Sequence, residues 1–342
     1  MVDINQAASS FLMFRALTDN NMSFSDRYPP YLFTAPSKRF NIKTVGDIDN
    51  AITTVINETQ EYKIALALSG GIDSAIIAKY LPKGTLAYTF RCLADDAIDE
   101  TETAREYADI CGLEHRVVDI TWGDYLEFAP ILMKHKGAPI HSIEPQIFKG
   151  ALRAKADGVT HLIFGENADM IFGGMDGLVS KDWSFDEFVN RYTYILPETV
   201  LKNGIRLLAP YEKYRTESGI DFYSFITKYF YNEANGSYDN ACSTAGVVYI
   251  SPFNRMILDA PLDYERIRNG ESKYMLRELF RNLYNVSEVP QKTPMPRPLK
   301  QWLKDWAGPK RSEFFPSCIA GLNSDQKWMV FVLEMFLNLL EE

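Results

Sequence analysis

Residues 64–74 read Ile64-Ala65-Leu66-Ala67-Leu68-Ser69-Gly70-Gly71-Ile72-Asp73-Ser74. The first five are apolar without alternation, the pattern of a strand covered on both faces in the middle of a sheet. A turn of two glycines and two serines follows at once, and residues 75–80 read as a helix closed by Pro82 and Gly84. A buried strand, a glycine turn and a helix in that order suit a phosphate. The glycines let backbone N–H groups approach an anion, and the hydroxyls of Ser69 and Ser74 can donate to phosphate oxygens. The helix also points its positive end at the same place. Asp73 would repel a phosphate unless a cation lay between them, so it is the first candidate ligand for Mg2+. The GxxxxGK[ST] loop is absent, which excludes an ordinary kinase or ATPase loop.

The pattern continues on both sides. Upstream, Ile48, Ile52, Val55 and Ile56 fall at helical spacing. Downstream, strand-like runs at 86–90, 115–120 and 161–164 alternate with helical runs at 99–111, stopped by Gly112, and at about 146–156. Such alternation predicts an α/β fold with a doubly wound parallel sheet. Right-handed crossovers gather the loops at the carboxyl ends of the strands, where ligands bind. Beyond residue 180 strand-like runs are rare, 246–250 excepted, and aromatics recur at helical intervals. The expected organisation is an irregular segment over 1–44, containing Tyr28-Pro29-Pro30-Tyr31, then an α/β core over 45–180. A mainly helical region over 181–342 completes the cleft.

The most apolar stretch, 328–340, is shorter than a bilayer span and contains Glu334 and Asn338. It reads as a buried helix, with Asn323 and Gln326 placed as a capping pair. The 342 residues carry a net charge of −9, which disfavours nucleic acid as a partner. The four cysteines and four histidines are scattered, with neither a CxxC pair nor zinc-ligand spacing. No signal peptide is visible, and the thiols read as reduced, so the expected location is the cytoplasm, with no membrane contact.

A second chemistry-bearing stretch is Phe164-Gly165-Glu166-Asn167-Ala168-Asp169-Met170-Ile171-Phe172-Gly173-Gly174, an acidic turn at another strand end. The two motifs should therefore meet in space. SGGxDS after a buried strand resembles the pyrophosphatase loop of the ATP-pyrophosphatase (adenine nucleotide α-hydrolase) superfamily. The second stretch resembles the SGEGADELFGGY segment of asparagine synthetase. Glu271-Ser272-Lys273-Tyr274-Met275-Leu276-Arg277-Glu278 is similar to that family's K-x-x-L-R-E helix. Residues 292–303 (KTPMPRPLKQWL) are similar to its K-x-G-F-x-x-P-x-x-x-WL loop, with Pro298 and Trp302 in register. Ser251-Pro252-Phe253 echoes its PFLD stretch, broken by Asn254 and Arg255.

Several roles follow from the resemblance, which spans roughly residues 46–306. It implies cleavage of ATP to AMP and pyrophosphate, with the nucleotide against Leu68, Ser69, Gly70, Gly71, Asp73, Ser74, Phe90 and Gly165. Asp73 and Asp169 would share Mg2+. Glu166 would take the proton of the attacking nitrogen, and Lys273 would stabilise charge on pyrophosphate and on the tetrahedral centre. Lys292 and Arg297 either close over the phosphates or form a surface turn. Val2 stands where glutamine-dependent members carry a catalytic cysteine, and no glutaminase domain is visible. Asn167 replaces a Gly and Met170 a Glu, departures expected to lie beside the substrate.

The expected function is an ATP-dependent, AMP-forming carbon–nitrogen ligase acting on a small carboxylate. Nitrogen would come from ammonia, an amine or a separate glutaminase, and a homodimer is left open. Two rivals are weighed. An RNA-modifying adenylating enzyme is disfavoured by the acidic charge and the lack of paired cysteines. An inactive nucleotide-binding scaffold is disfavoured by retention of Asp73, Glu166, Asp169 and Lys273 together.

Overall fold

Among the residues described by a computed structural model (2–95, 97–291 and 295–342), seven strands form two parallel sheets. The strands are β1 (Phe40–Ile42), β2 (Ile64–Ala67), β3 (Leu86–Cys92), β4 (Glu114–Ile120), β5 (His161–Ile163), β6 (Val248–Ile250) and β7 (Met256–Leu258). β1 and β7 pair with each other, and the other five form the main sheet in the order β4-β3-β2-β5-β6. The α/β class and the parallel pairing agree with the sequence pattern. β6 comes from 246–250, so the sheet draws on residues on both sides of position 180.

Alternate side chains of each strand enter opposite cores, as the pleat requires. Ala65, Tyr88, Phe90 and Leu162 join one core, and Leu66, Ala87 and Ile163 the other. The first core is closed by helices α1 (Ile4–Phe14), α5 (Trp122–Lys136) and α6 (Glu144–Ala156), by the long helix Phe222–Ala245 and by the last helix Ser324–Glu341. The second is closed by α2 (Val45–Glu58), α3 (Ile72–Ala78), α4 (Thr101–Cys111) and the helix Tyr274–Tyr284. β2 sits where the winding reverses: β3 and β4 extend to one side of it, β5 and β6 to the other. The chains leaving β2 and β5 therefore part in opposite directions, which opens a crevice between them.

Two expectations are corrected. Residues 1–44 are not irregular throughout, since α1 occupies 4–14 and Asp3 caps it by accepting from the Gln6 N–H. Residues 7–14 are all buried, so the helix lacks a polar face and shows no 3.6-residue alternation. The helix after the glycine turn begins at Ile72, not Ala75, which puts Asp73 and Ser74 in its first turn. Helix α5 is a further element that local sequence argues against, because Pro130 lies inside it. Its start is fixed by a reciprocal cap between Thr121 and Asp124.

The last helix starts as expected, on a capping box of Asn323 and Gln326. Trp328, Val330, Val332, Leu333 and Phe336 are buried along it. No helix among the described residues is long and apolar enough to cross a membrane.

Candidate active site

The glycine turn and the acidic turn meet at the carboxyl ends of β2 and β5, which are neighbours in the sheet. The contact is tight: a Cβ on Gly165 would stand 2.9 Å from Asp73 Cβ and 3.0 Å from the Ser74 nitrogen. Only glycine lets the end of β5 lie against the first turn of α3. Between the two turns is a cleft of about 170 Å³. Of the expected nucleotide residues, Leu68, Ser69, Asp73, Ser74, Phe90 and Gly165 line it, with Glu166 and Asp169. Gly70 and Gly71 do not.

The turn is knitted by its own donors and acceptors. The Ser69 N–H donates to Ser74 Oγ at 3.0 Å, and the two hydroxyls lie 2.9 Å apart. The Gly71 N–H donates to Ser69 Oγ at 3.2 Å. The Gly70 N–H donates to Glu100 Oε2 at 3.0 Å. Gly70 is therefore glycine for close approach, since a Cβ there would lie 3.2 Å from Glu100 Cβ and 3.4 Å from Thr103 Cβ. Burial raises the Glu100 carboxyl above the usual carboxylate range, against the Gly70 hydrogen bond that favours its charged form.

Two carboxylates that line the cleft, Asp73 and Asp169, share one buried ammonium. Lys273 Nζ lies 2.6 Å from Asp73 Oδ2 and 2.7 Å from Asp169 Oδ1. Burial alone would lower the lysine, but Asp73 and then Asp169 outweigh it and hold the ammonium above its ordinary pKa. Lys273 carries φ 53°, a left-handed conformation unusual for a long side chain, just before the helix Tyr274–Tyr284. Backbone strain of this kind gathers at working sites. Gly174 is required beside it, because a Cβ there would overlap Asp169 Oδ1 and stand 2.8 Å from Lys273 Cε. Among the described residues no group of three or more His, Cys, Asp or Glu could hold a metal. The two aspartates already straddle one cation, so they fit Mg2+ when phosphate oxygens complete the shell.

Glu166 faces the cleft, enclosed by protein. Burial pushes its carboxyl up to about 7, against hydrogen bonds from the Asn167 N–H and the Tyr238 hydroxyl; the charges of Asp169 and Glu233 add to the rise. A carboxyl poised there can accept a proton near neutral pH. Ser251 Oγ donates to the Glu166 carbonyl at 2.7 Å and fixes the backbone.

A family model described as asparagine synthase matches residues 57–313. The chain belongs to the asparagine synthase family. It is an ATP-using enzyme of the adenine nucleotide α-hydrolase superfamily. No curated protein matches the chain. Among solved structures, NMN synthetase from Francisella tularensis is 13% identical at a TM-score of 0.30, covering 74% of this chain and 99% of that one. The U34-tRNA thiolase from Methanococcus maripaludis with its [4Fe-4S] cluster is 14% identical at 0.31, covering 86% and 80%.

The places where this asparagine synthase family chain departs from the pattern now have physical reasons. Asn167 has φ 71°, so the family's glycine is replaced by the residue that best tolerates that region. Asn167 is among the residues that line the cleft, while its amide bonds inward. It is buried and bonded to Asn235 at 2.8 Å and to Asn254, and Tyr249 closes the cluster. Asn254, which breaks the PFLD resemblance, is thus the partner of Asn167. Met170 does not line the cleft, being 5% exposed and packed in the second core.

Arg297 does not reach the cleft, and binds Ser142 Oγ at 3.3 Å and Asp325 at 3.2 Å. Trp302 stacks on Trp122, a packing role. Lys292 lies outside the described residues. From that loop only Met295 lines the cleft among the described residues. Sequence reasoning missed Glu100 and Tyr238, which come from the start of α4 and the middle of the long helix. Neither carries a local motif; the acid pair Asp99-Glu100 before a helix was the one available signal.

Proposed function

We propose that the chain is an amide-forming ligase that adenylates a small carboxylate and passes ammonia or an amine to it. A carboxylate oxygen attacks the α-phosphorus of ATP, and the bond to the bridging oxygen breaks, releasing pyrophosphate. Ser69, Ser74 and Lys273 stabilise the departing charge, and Leu68 and Phe90 give the nucleotide apolar walls. The nitrogen then attacks the acyl carbonyl, Glu166 takes its proton, and AMP leaves with the electrons of the acyl–oxygen bond. Mg2+ held by Asp73 and Asp169 would neutralise charge on the phosphates.

One observation carries the reading: Asp73 and Asp169, from separate motifs, lie within 2.6 and 2.7 Å of a single cation, and the poised Glu166 is in the same cleft. A screen of carboxylic acids with ATP, Mg2+ and ammonia tests it. Acid-dependent AMP and pyrophosphate with an amide product are expected. AMP formation with no amide from any nitrogen donor would overturn the second half of the reaction.

A further inference from the structure

Glu100 and Lys273 supply, from within the chain, the two charges that a cation–nucleotide complex brings. The Glu100 carboxylate accepts from the Gly70 N–H at 3.0 Å, where a glycine turn would otherwise offer that donor to a phosphate oxygen. Glu100 also lines the cleft, beside Ser69 and Asp73. The Lys273 ammonium occupies the gap between Asp73 and Asp169, the place a divalent cation would take. Each contact is held by a close approach that a side chain at a nearby glycine would obstruct, Gly70 for Glu100 and Gly174 for Lys273.

We propose that Glu100 and Lys273 compete with phosphate and with the divalent cation for the same partners, so that cation and nucleotide bind tightly only together. The inference rests on the reading of this cleft as the nucleotide site. A nucleotide without its cation meets the Glu100 carboxylate and two aspartates, and like charges in a partly desolvated cleft repel strongly. A cation without nucleotide must displace a buried ammonium that already has two partners. When both arrive, the triphosphate accepts the displaced ammonium of Lys273, and the cation screens the phosphates from the carboxylates. Glu100 is thereby a determinant of nucleotide affinity, with no bond to make or break in the reaction.

Two titrations test this on the full chain, neither needing turnover. Metal-free ATP, held in excess EDTA, is titrated by calorimetry into the wild type and Glu100→Gln. Glutamine keeps an oxygen for the Gly70 N–H and removes only the charge, so binding is expected to tighten about ten-fold. Glu100→Asp, which withdraws the charge from the turn, should fall between. Unchanged or weaker binding in Glu100→Gln, with an unaltered near-UV spectrum, overturns the proposal.

Mn2+ alone is titrated by the loss of its free paramagnetic signal. The wild type should bind none at concentrations where Lys273→Gln binds it, and tight binding by the wild type without nucleotide overturns the proposal with no variant required. An acid screen that yields no AMP would sink the ligase reading and leave both titrations interpretable. Robust AMP formation with an unresponsive Glu100→Gln would sink this proposal alone.

Discussion

Asn167 Nδ2 donates to Asn235 Oδ1 across 2.8 Å, tying the acidic turn to the long helix Phe222–Ala245. Asn235 returns a bond to Asn167 Oδ1 at 3.2 Å, and both residues are buried. The left-handed backbone at 167 aims its N–H at the Glu166 carboxylate, so the amide pair holds the geometry of the base. Asn167→Gly keeps the conformation but takes one bond from each polar atom of Asn235 and the Asn167 donor from Asn254 Oδ1, at a cost of about 1–3 kcal/mol. Asn167→Ala adds left-handed strain of roughly 1–2 kcal/mol. Urea unfolding should rank the two in that order, and an alanine variant as stable as the glycine one would refute the role of the backbone.

Glu166 makes stability depend on pH. Its folded carboxyl titrates near 7 and an unfolded one near 4.5. Between these values the folded chain binds more protons than the unfolded one. The neutral group is tolerated below the window, and stability is lost as pH rises through 7, by roughly 2–3 kcal/mol. Glu166→Gln should therefore melt higher than wild type at pH 8 and about level with it at pH 4. The same variant should release pyrophosphate normally but transfer nitrogen slowly. In the wild type the transfer step should quicken as pH rises through 7, because the base must be ionised.

Gly174→Ala tests the link between Asp169 and Lys273. The new Cβ would overlap Asp169 Oδ1 and crowd Lys273 Cε, forcing the pair apart. Pyrophosphate release should fall by about 100-fold or more, the scale of losing a charge-stabilising group. Thermal stability should fall as well, because Lys273 is buried and its ion pairs would be parted. A variant with full activity would mean that this ion pair has no part in the chemistry.

Much of this arrangement is legible in sequence, where function needs residues adjacent in the chain. The run 64–74 announces β2, its turn and the parallel sheet, and the resemblance at 164–174 brings Glu166 and Asp169 to the same edge. What escapes is set by tertiary context. Helix α1 has no polar face to betray it, and α5 tolerates Pro130 because its cap and packing outweigh one lost hydrogen bond. Glu100 and Tyr238 reach the cleft from a helix cap and a helix interior whose neighbours in sequence take no part. Asn167 lines the cleft, and only its φ of 71° shows why Asn can stand there for Gly. Met170 likewise follows the demands of the core.

That last point is open to test. Met170 is 5% exposed among Ile171, Phe172 and Phe253 in the second core, so Met170→Leu should cost less than about 1.5 kcal/mol. Met170→Glu, which restores the family residue, would bury a carboxylate and should destabilise by about 3 kcal/mol or more. Denaturant midpoints distinguish these. A glutamate variant as stable as wild type, with altered choice of acid, would instead place residue 170 against the substrate.

An oxygen label follows the bond that matters most. With both carboxylate oxygens of an active acid labelled with 18O, mass spectrometry of the spent nucleotide reports which phosphorus was attacked. The cleft built by Asp73, Asp169 and Lys273 should return AMP carrying one labelled oxygen, the trace of an acyl-adenylate. ADP, or AMP without label, would contradict adenylation of the acid at this site.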